Sequence, residues 1–281
     1  MAGVQYREIR PCAQLRRFVD SFWILDHDGA PEAQRVVPDG HAELILNLAE
    51  PFEYLHAGRW YRQPRAFFAG QIEGPLMLRA NGRAKILGVR FTPHGAAAAL
   101  APPMHELAGR FTPIGDFSSV LNRAFDRALD SRDPIAAVES ALLRTFDARR
   151  ADPVAAAAVR CLAESRGAMS LANLAADLNL SNRQFERRFR AAVGLAPATF
   201  RSLQRFVQVF RVIGDEAPRW VETALACGYY DQAHLIRDFK RFTGETPAAL
   251  LSDDADLARH FLTRFVAHAS ACRVETDLDA T

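Results

Sequence analysis

Between Val4 and Phe91 the apolar positions fall in short runs: Phe18 to Leu25, Glu43 to Leu48, Phe67 to Ala69, Met77 to Leu78 and Ile86 to Phe91. Turn residues part them, at Pro38-Asp39-Gly40, Glu73-Gly74-Pro75 and Asn81-Gly82. Short runs with such punctuation predict strands, and Asn-Gly between two apolar runs predicts a hairpin. Several strands in succession predict a small barrel or sandwich. After Pro93 the apolar spacing becomes helical, over Ser118 to Leu129, Ile135 to Asp147 and Val154 to Glu164. Asp133-Pro134 and Asp152-Pro153 each set an N-cap before a proline at the first helical position. From there to about Val266 the pattern is one of helices on short connections.

Within the helical part the chain repeats itself. Arg187-Arg188-Phe189-Arg190 with Gly194 and Pro197 recurs as Arg237-Asp238-Phe239-Lys240 with Gly244 and Pro247, at an offset of 50 positions. A fixed offset marks a duplicated unit. Each copy opens with Ala175 or Ala224 four residues before Asn179 or Gly228. A small residue where two helices cross, followed by one that tolerates positive φ, predicts helix, tight turn, helix. Leu174, Leu178, Phe185 and Phe189 are expected to close the first miniature core, and Leu225, Leu235 and Phe239 the second. Pro197 to Ile213 is apolar-periodic over about 17 residues, or about 25 Å, enough to hold the two units apart.

The predicted architecture is therefore α+β. A strand-rich small barrel or sandwich with flanking helices occupies residues 1–150, an all-α domain with two helix-turn-helix units and a linker helix occupies 151–270, and 271–281 form a flexible tail. The recognition helices are expected at 181–192 and 231–243.

Charge sharpens that picture only locally. The formal net charge is +2, from 35 Lys and Arg against 33 Asp and Glu, too little to imply nucleic acid. From Arg183 to Arg211, however, Arg183, Arg187, Arg188, Arg190, Arg201, Arg205 and Arg211 face the single acid Glu186. Concentrated basic charge is what a DNA backbone attracts. The expected contacts are Ser181, Asn182, Arg183, Glu186, Arg187 and Arg190 in the first unit. In the second they are Gln232, His234, Arg237, Lys240 and Arg241, with Asp231, Asp238 and Glu245 placed to compete for Arg237. The four cysteines, Cys12, Cys161, Cys227 and Cys272, lie too far apart for a CxxC zinc site and read as ordinary small residues. No GxSxG, P-loop, GxGxxG or HExxH motif occurs, so no catalytic residue and no cofactor is expected, and the scattered histidines do not make a metal site. Nothing near Met1 resembles an export signal, and a cytoplasmic location is expected.

The stretch from Ser170 to Pro247 resembles the DNA-binding domain of the AraC/XylS family, most specifically through Ala224-Leu225-Ala226-Cys227-Gly228-Tyr229 and Leu235-Ile236-Arg237-Asp238-Phe239-Lys240. The resemblance implies a transcription regulator that binds double-stranded DNA, with RNA polymerase as a partner, and an N-terminal domain for effector binding or dimerisation. A homodimer is expected through the helices near Ser118 to Leu129 and Ile135 to Asp147. Phe22-Trp23, Val37-Pro38-Asp39-Gly40-His41 and Gly88-Val89-Arg90-Phe91 look like one class of such N-terminal domains. Trp23, His41, Glu43 and Arg90, on or beside predicted strands, are the expected effector contacts, in a cavity of roughly 300 Å³ or more. Trp60, Phe67 and Phe68 are further candidates to line it. Arg90 would hold a carboxylate or other anion, or else pair with Glu43. An enzyme built on the strand domain, with an appended DNA-binding module, is the alternative from another class.

Overall fold

The computed structural model describes residues 4–28, 33–213 and 219–252. The expected tail, Cys272, and the part of the helical domain after residue 252 lie outside the described residues. Ten strands come first: β1 (Val4–Ile9), β2 (Val19–His27), β3 (Gln34–Val36), β4 (Glu43–Asn47), β5 (Glu53–His56), β6 (Arg59–Arg62), β7 (Ala66–Ala69), β8 (Leu76–Arg79), β9 (Ala84–Phe91) and β10 (Phe111–Pro113). The helices are α1 (Ala96–Ala99), α2 (Met104–Leu107), α3 (Ser119–Leu129), α4 (Pro134–Thr145), α5 (Pro153–Glu164), α6 (Leu171–Asp177), α7 (Asn182–Val193), α8 (Pro197–Val212), α9 (Trp220–Ala226), α10 (Gln232–Thr243) and α11 (Pro247–Ser252).

The strands form two sheets rather than a closed barrel. One sheet runs β1-β2-β9-β4-β7-β10 and the other β3-β8-β5-β6, with every pairing antiparallel. The expected hairpin at Asn81-Gly82 does not form, because β8 pairs with β3 and β5 while β9 pairs with β2 and β4. That turn carries the chain from one sheet to the other. The tight hairpin lies instead between β5 and β6, where Ala57 and Gly58 both take positive φ, 49° and 76°.

Side-chain alternation gives the large sheet two apolar faces. Phe22, Leu44, Leu46, Phe68, Leu87, Val89 and Phe91 pack against α1 to α4. Trp23, Leu25, Ile45, Phe67 and Ile86 face the small sheet. Phe68 and Phe67 are neighbours in sequence and belong to different cores.

The helical caps follow the sequence. Asp133 and Asp152 accept from the first-turn amides of α4 and α5, each ahead of a proline. Asn179, at φ 54°, and Gly228, at φ 77°, make the two tight turns. Ala175 and Ala224 are buried where the helices cross. Phe206 of α8 joins the halves of this domain, lying 5.0 Å from Phe239 and 5.1 Å from Phe242 between ring centres. In the second unit Leu235 and Phe239 are buried as expected, but Leu225 is 61% exposed. Cys227 and Tyr229 take its place in that core. Among the described residues no helix is long and apolar enough to cross a membrane.

Candidate nucleic-acid interface and interior cavity

The helix α7 begins at a reciprocal cap. The Gln184 N–H donates to Ser181 Oγ at 3.3 Å, and the Ser181 N–H donates to Gln184 Oε1 at 3.0 Å. The helix buries Phe185, Phe189, Ala192 and Val193. Ser181, Asn182, Arg183, Glu186, Arg187 and Arg190 are all exposed. Spacings of three and four residues place the three arginines in one stripe. The far end of α7 is docked on α2, and a Cβ on Gly194 would stand 3.2 Å from the Met104 carbonyl oxygen.

Part of the expected basic patch is used inside the protein. Arg188 Nε and Nη2 donate to the two carboxylate oxygens of Asp152 at 2.8 and 2.7 Å. Arg205 is 9% exposed, and its guanidinium lies 5.3 Å from the centre of the Tyr229 ring. Arg201 is half-buried, and that burial, with Arg205 nearby, lowers its pKa. The open arginines of the first unit are thus Arg183, Arg187 and Arg190.

In the second unit Asp231 caps α10 by accepting the His234 N–H at 2.6 Å. Arg237 and Lys240 are exposed, while Gln232 and His234 are half-buried. The acids that surround Arg237 in sequence are occupied elsewhere. Asp231 holds the cap, Asp238 is buried, and Glu245 pairs with Arg35 at 2.6 Å. Arg237 consequently has no ion pair among the described residues. Arg241 is tied back, its Nη2 donating to Glu73 Oε2 at 3.2 Å and to Thr199 Oγ1 at 3.1 Å.

Between the two sheets lies a cavity of about 160 Å³, smaller than the roughly 300 Å³ expected of a drug-sized pocket. Trp23, His41, Glu43 and Arg90 all line it, together with Phe67, whereas Phe68 and Trp60 do not. Trp60 instead lies 4.3 Å beneath the Arg79 guanidinium. The remaining wall is mostly aliphatic and aromatic, including Leu25, Ile45, Phe52, Leu76, Leu78 and Phe111.

The polar groups gather at one end of this cavity. Trp23 Nε1 donates to Glu43 Oε1 at 3.1 Å, and Arg90 Nη1 approaches the same oxygen at 3.4 Å. Arg90 Nη2 also donates to Asp39 Oδ2, and Asp20 Oδ2 stands 3.9 Å from Arg90 Nε. The guanidinium is therefore held by the protein's own carboxylates, and the expected anion-binding role gives way to structural pairing. Burial pushes the Glu43 carboxyl up to about 7, against the pull of Arg90. Burial also lowers the pKa of His41, whose Nδ1–H donates to the Phe91 carbonyl at 2.7 Å. Gly88 permits the arrangement, since a Cβ there would stand 2.0 Å from Trp23 Cε2.

Two segments of the cavity wall also hold the helical domain. Val36, Val37, Asp39 and His41 come from one, Ile72 and Leu76 from the other. Val37 packs in the helical core, and a Cβ on Gly40 would stand 3.3 Å from the Phe200 ring. The ion pairs Arg35–Glu245 and Glu73–Arg241 flank these contacts. Sequence spacing carried no signal for this arrangement, because each pair joins residues about 170 to 210 positions apart.

Residues 174–253 match a family model described as a helix-turn-helix domain, and residues 7–113 match a domain of unknown function, DUF6597. Among solved structures, the DNA-binding domain of AdpA, a global transcriptional factor in complex with a target DNA, is 32% identical. The match covers 36% of this chain and 92% of that one, with a TM-score of 0.33. Unsaturated fatty acid bound ToxT from Vibrio cholerae strain SCE256 is 10% identical over 81% of this chain and 93% of that one, with a TM-score of 0.42. No curated protein matches the chain.

Proposed function

From the premise that the chain belongs to the AraC/XylS family of DNA-binding transcription regulators, we propose that it reads a specific operator by placing α7 and α10 in major-groove segments. The observation that carries this is the repeated unit itself: two capped helices, each burying one apolar face and turning basic residues outward. Arg183, Arg187 and Arg190 supply the first set, Arg237 and Lys240 the second, and none of the five has an ion pair among the described residues. Exposed guanidinium groups are suited to bidentate bonds with guanine O6 and N7 and to phosphates. The first unit discriminates bases more strongly, since α10 also presents Ala233 and the half-buried Ile236. Fluorescence titration of Arg187→Ala and Arg237→Ala on operator and mutated operator tests the ranking; it is refuted if the Arg237 variant loses more specificity.

The division of labour follows the chain: residues 1–150 sense and dimerise, residues 151–270 bind DNA, and the whole acts in the cytoplasm with RNA polymerase. A small molecule in the cavity between the sheets shifts the 35–41 and 72–76 segments, and with them the grip on α8, α10 and Glu245. Regulation of this kind requires the ligand to bind one docking state better than the other. The α3–α4 pair, with Val120 at 41% and Leu143 at 39% exposure, offers the dimer surface. Light scattering that gave a monomer at high micromolar concentration would remove the dimer.

A further inference from the structure

We propose that the cavity takes a compact cation, a single-ring or similarly small apolar amine, whose ammonium group sits at the Glu43 end. The inference rests on the effector reading above and names the chemistry of the ligand. At that end three carboxylates, Asp20, Asp39 and Glu43, face the single guanidinium of Arg90. Among the described residues, positive charge falls two short of matching three ionised carboxylates. His41 does not supply it, because burial keeps the ring neutral and its Nδ1–H is committed to the Phe91 carbonyl. On β1, Tyr6 and Glu8 add no cation either, the tyrosine hydroxyl donating to the glutamate. Glu43 is the acid that lines the cavity beside Trp23, and burial holds its proton up to about 7. An ammonium group beside it would favour the ionised carboxylate, as an opposite charge does at short range. A ligand carboxylate would meet the same excess of negative charge and gain little from a guanidinium already held.

A second buried group points to a ligand. Gln63 lines the cavity and is only 7% exposed; its backbone N–H donates to the Phe52 carbonyl at 2.8 Å. Its carboxamide has no hydrogen-bond partner among the described residues. A polar ligand atom entering the cavity can bond that amide. The rest of the wall is apolar, from Leu25, Ile45, Phe67 and Phe111, and accepts a ring or short aliphatic body. The size fits: a cavity of about 150 Å³ holds one benzene, and this one is about 160 Å³.

Calorimetry and thermal-shift titration of the full chain with benzylamine, benzyl alcohol and phenylacetate test the proposal, three probes of one shape and different charge. Benzylamine is expected to bind at least about tenfold more tightly than phenylacetate, a difference of about 1.4 kcal/mol. Its affinity should rise between about pH 6 and about pH 8, as Glu43 ionises, a profile measured on the unmodified chain. Glu43→Gln should lower benzylamine affinity about tenfold while leaving benzyl alcohol within about twofold. Phenylacetate binding as tightly as benzylamine overturns the cation, as does silence from all three probes. If phenylacetate binds and alters operator affinity, the ligand class falls and the effector reading stands. If benzylamine binds with the predicted pH profile and operator affinity does not move, the ligand class stands and the regulatory reading falls.

Discussion

Arg187 and Arg188 are neighbours on one helix with opposite duties, and replacing each by alanine should separate DNA binding from stability. Arg187 is exposed and has no ion pair among the described residues, so its truncation breaks no ion pair of the fold. Its loss should weaken operator binding by about 1 to 3 kcal/mol, or about 5- to 150-fold, with unfolding unchanged. Arg188 makes two bonds to Asp152, the residue that caps α5 through the Val154 and Ala155 amides. With side-chain exposures of 36% and 21%, the pair is partly screened by water. A cost of about 1 kcal/mol is reasonable for such a pair, lowering Tm by about 2 to 4 °C in a chain of this size. Operator affinity of the Arg188 variant should remain within about threefold once folded protein is counted. The assays are calorimetric melting and fluorescence anisotropy on labelled duplex. If Arg188→Ala lost more operator affinity than Arg187→Ala, or Arg187→Ala melted earlier, the orientation assigned to α7 would be refuted.

Gly88→Ala should drive the Trp23 indole off its bond to Glu43, since the new Cβ would overlap the ring; a cost of about 1 to 3 kcal/mol and a shift in tryptophan emission are expected, and an unchanged spectrum would contradict the packing. Stability should also depend on Glu43. Its folded pKa is raised, so its contribution is fully present below the unfolded value and is lost as pH rises through about 7. The ceiling is about 3 kcal/mol at about 1.4 per pKa unit. With the side chain 23% exposed, water should reduce this to about 1 to 2 kcal/mol; denaturant titrations of wild type and Glu43→Gln between pH 5 and 8 should show the wild type alone losing it. Glu73→Ala should free Arg241 for a phosphate, steepening the salt dependence of operator affinity by about one unit; an unchanged slope would leave Arg241 outside the interface.

The helical half was legible because its signals are local. Ser181, Asp133 and Asp152 cap the helices they precede, and Asn179 and Gly228 turn where positive φ was needed. The strand half was less so. Asn81-Gly82 has the composition of a hairpin, but which strands pair is settled by faces that periodicity does not rank, and the chain crosses between sheets there. The true hairpin, at Ala57-Gly58, escaped because alanine rarely takes positive φ. Leu225 was assigned inward on apolarity, whereas Cys227 and Tyr229 fill that core. The four cavity residues Trp23, His41, Glu43 and Arg90 do converge, since Glu43 pairs with Arg90 across β4 and β9, and Trp23 with Gly88 across β2 and β9. Their partner Asp39, and the ion pairs that tie the cavity wall to α10, depend on tertiary packing and had no sequence signal.

The central claim is sequence-specific recognition of DNA by the two outward helices. A fluorescence titration of the full chain against the DNA upstream of its own coding region, alongside random duplex of equal length at physiological salt, tests it most directly. The account predicts tighter binding to the upstream duplex by about 10³-fold or more, with an affinity that falls steeply as salt rises. Equal affinity for both duplexes would contradict it.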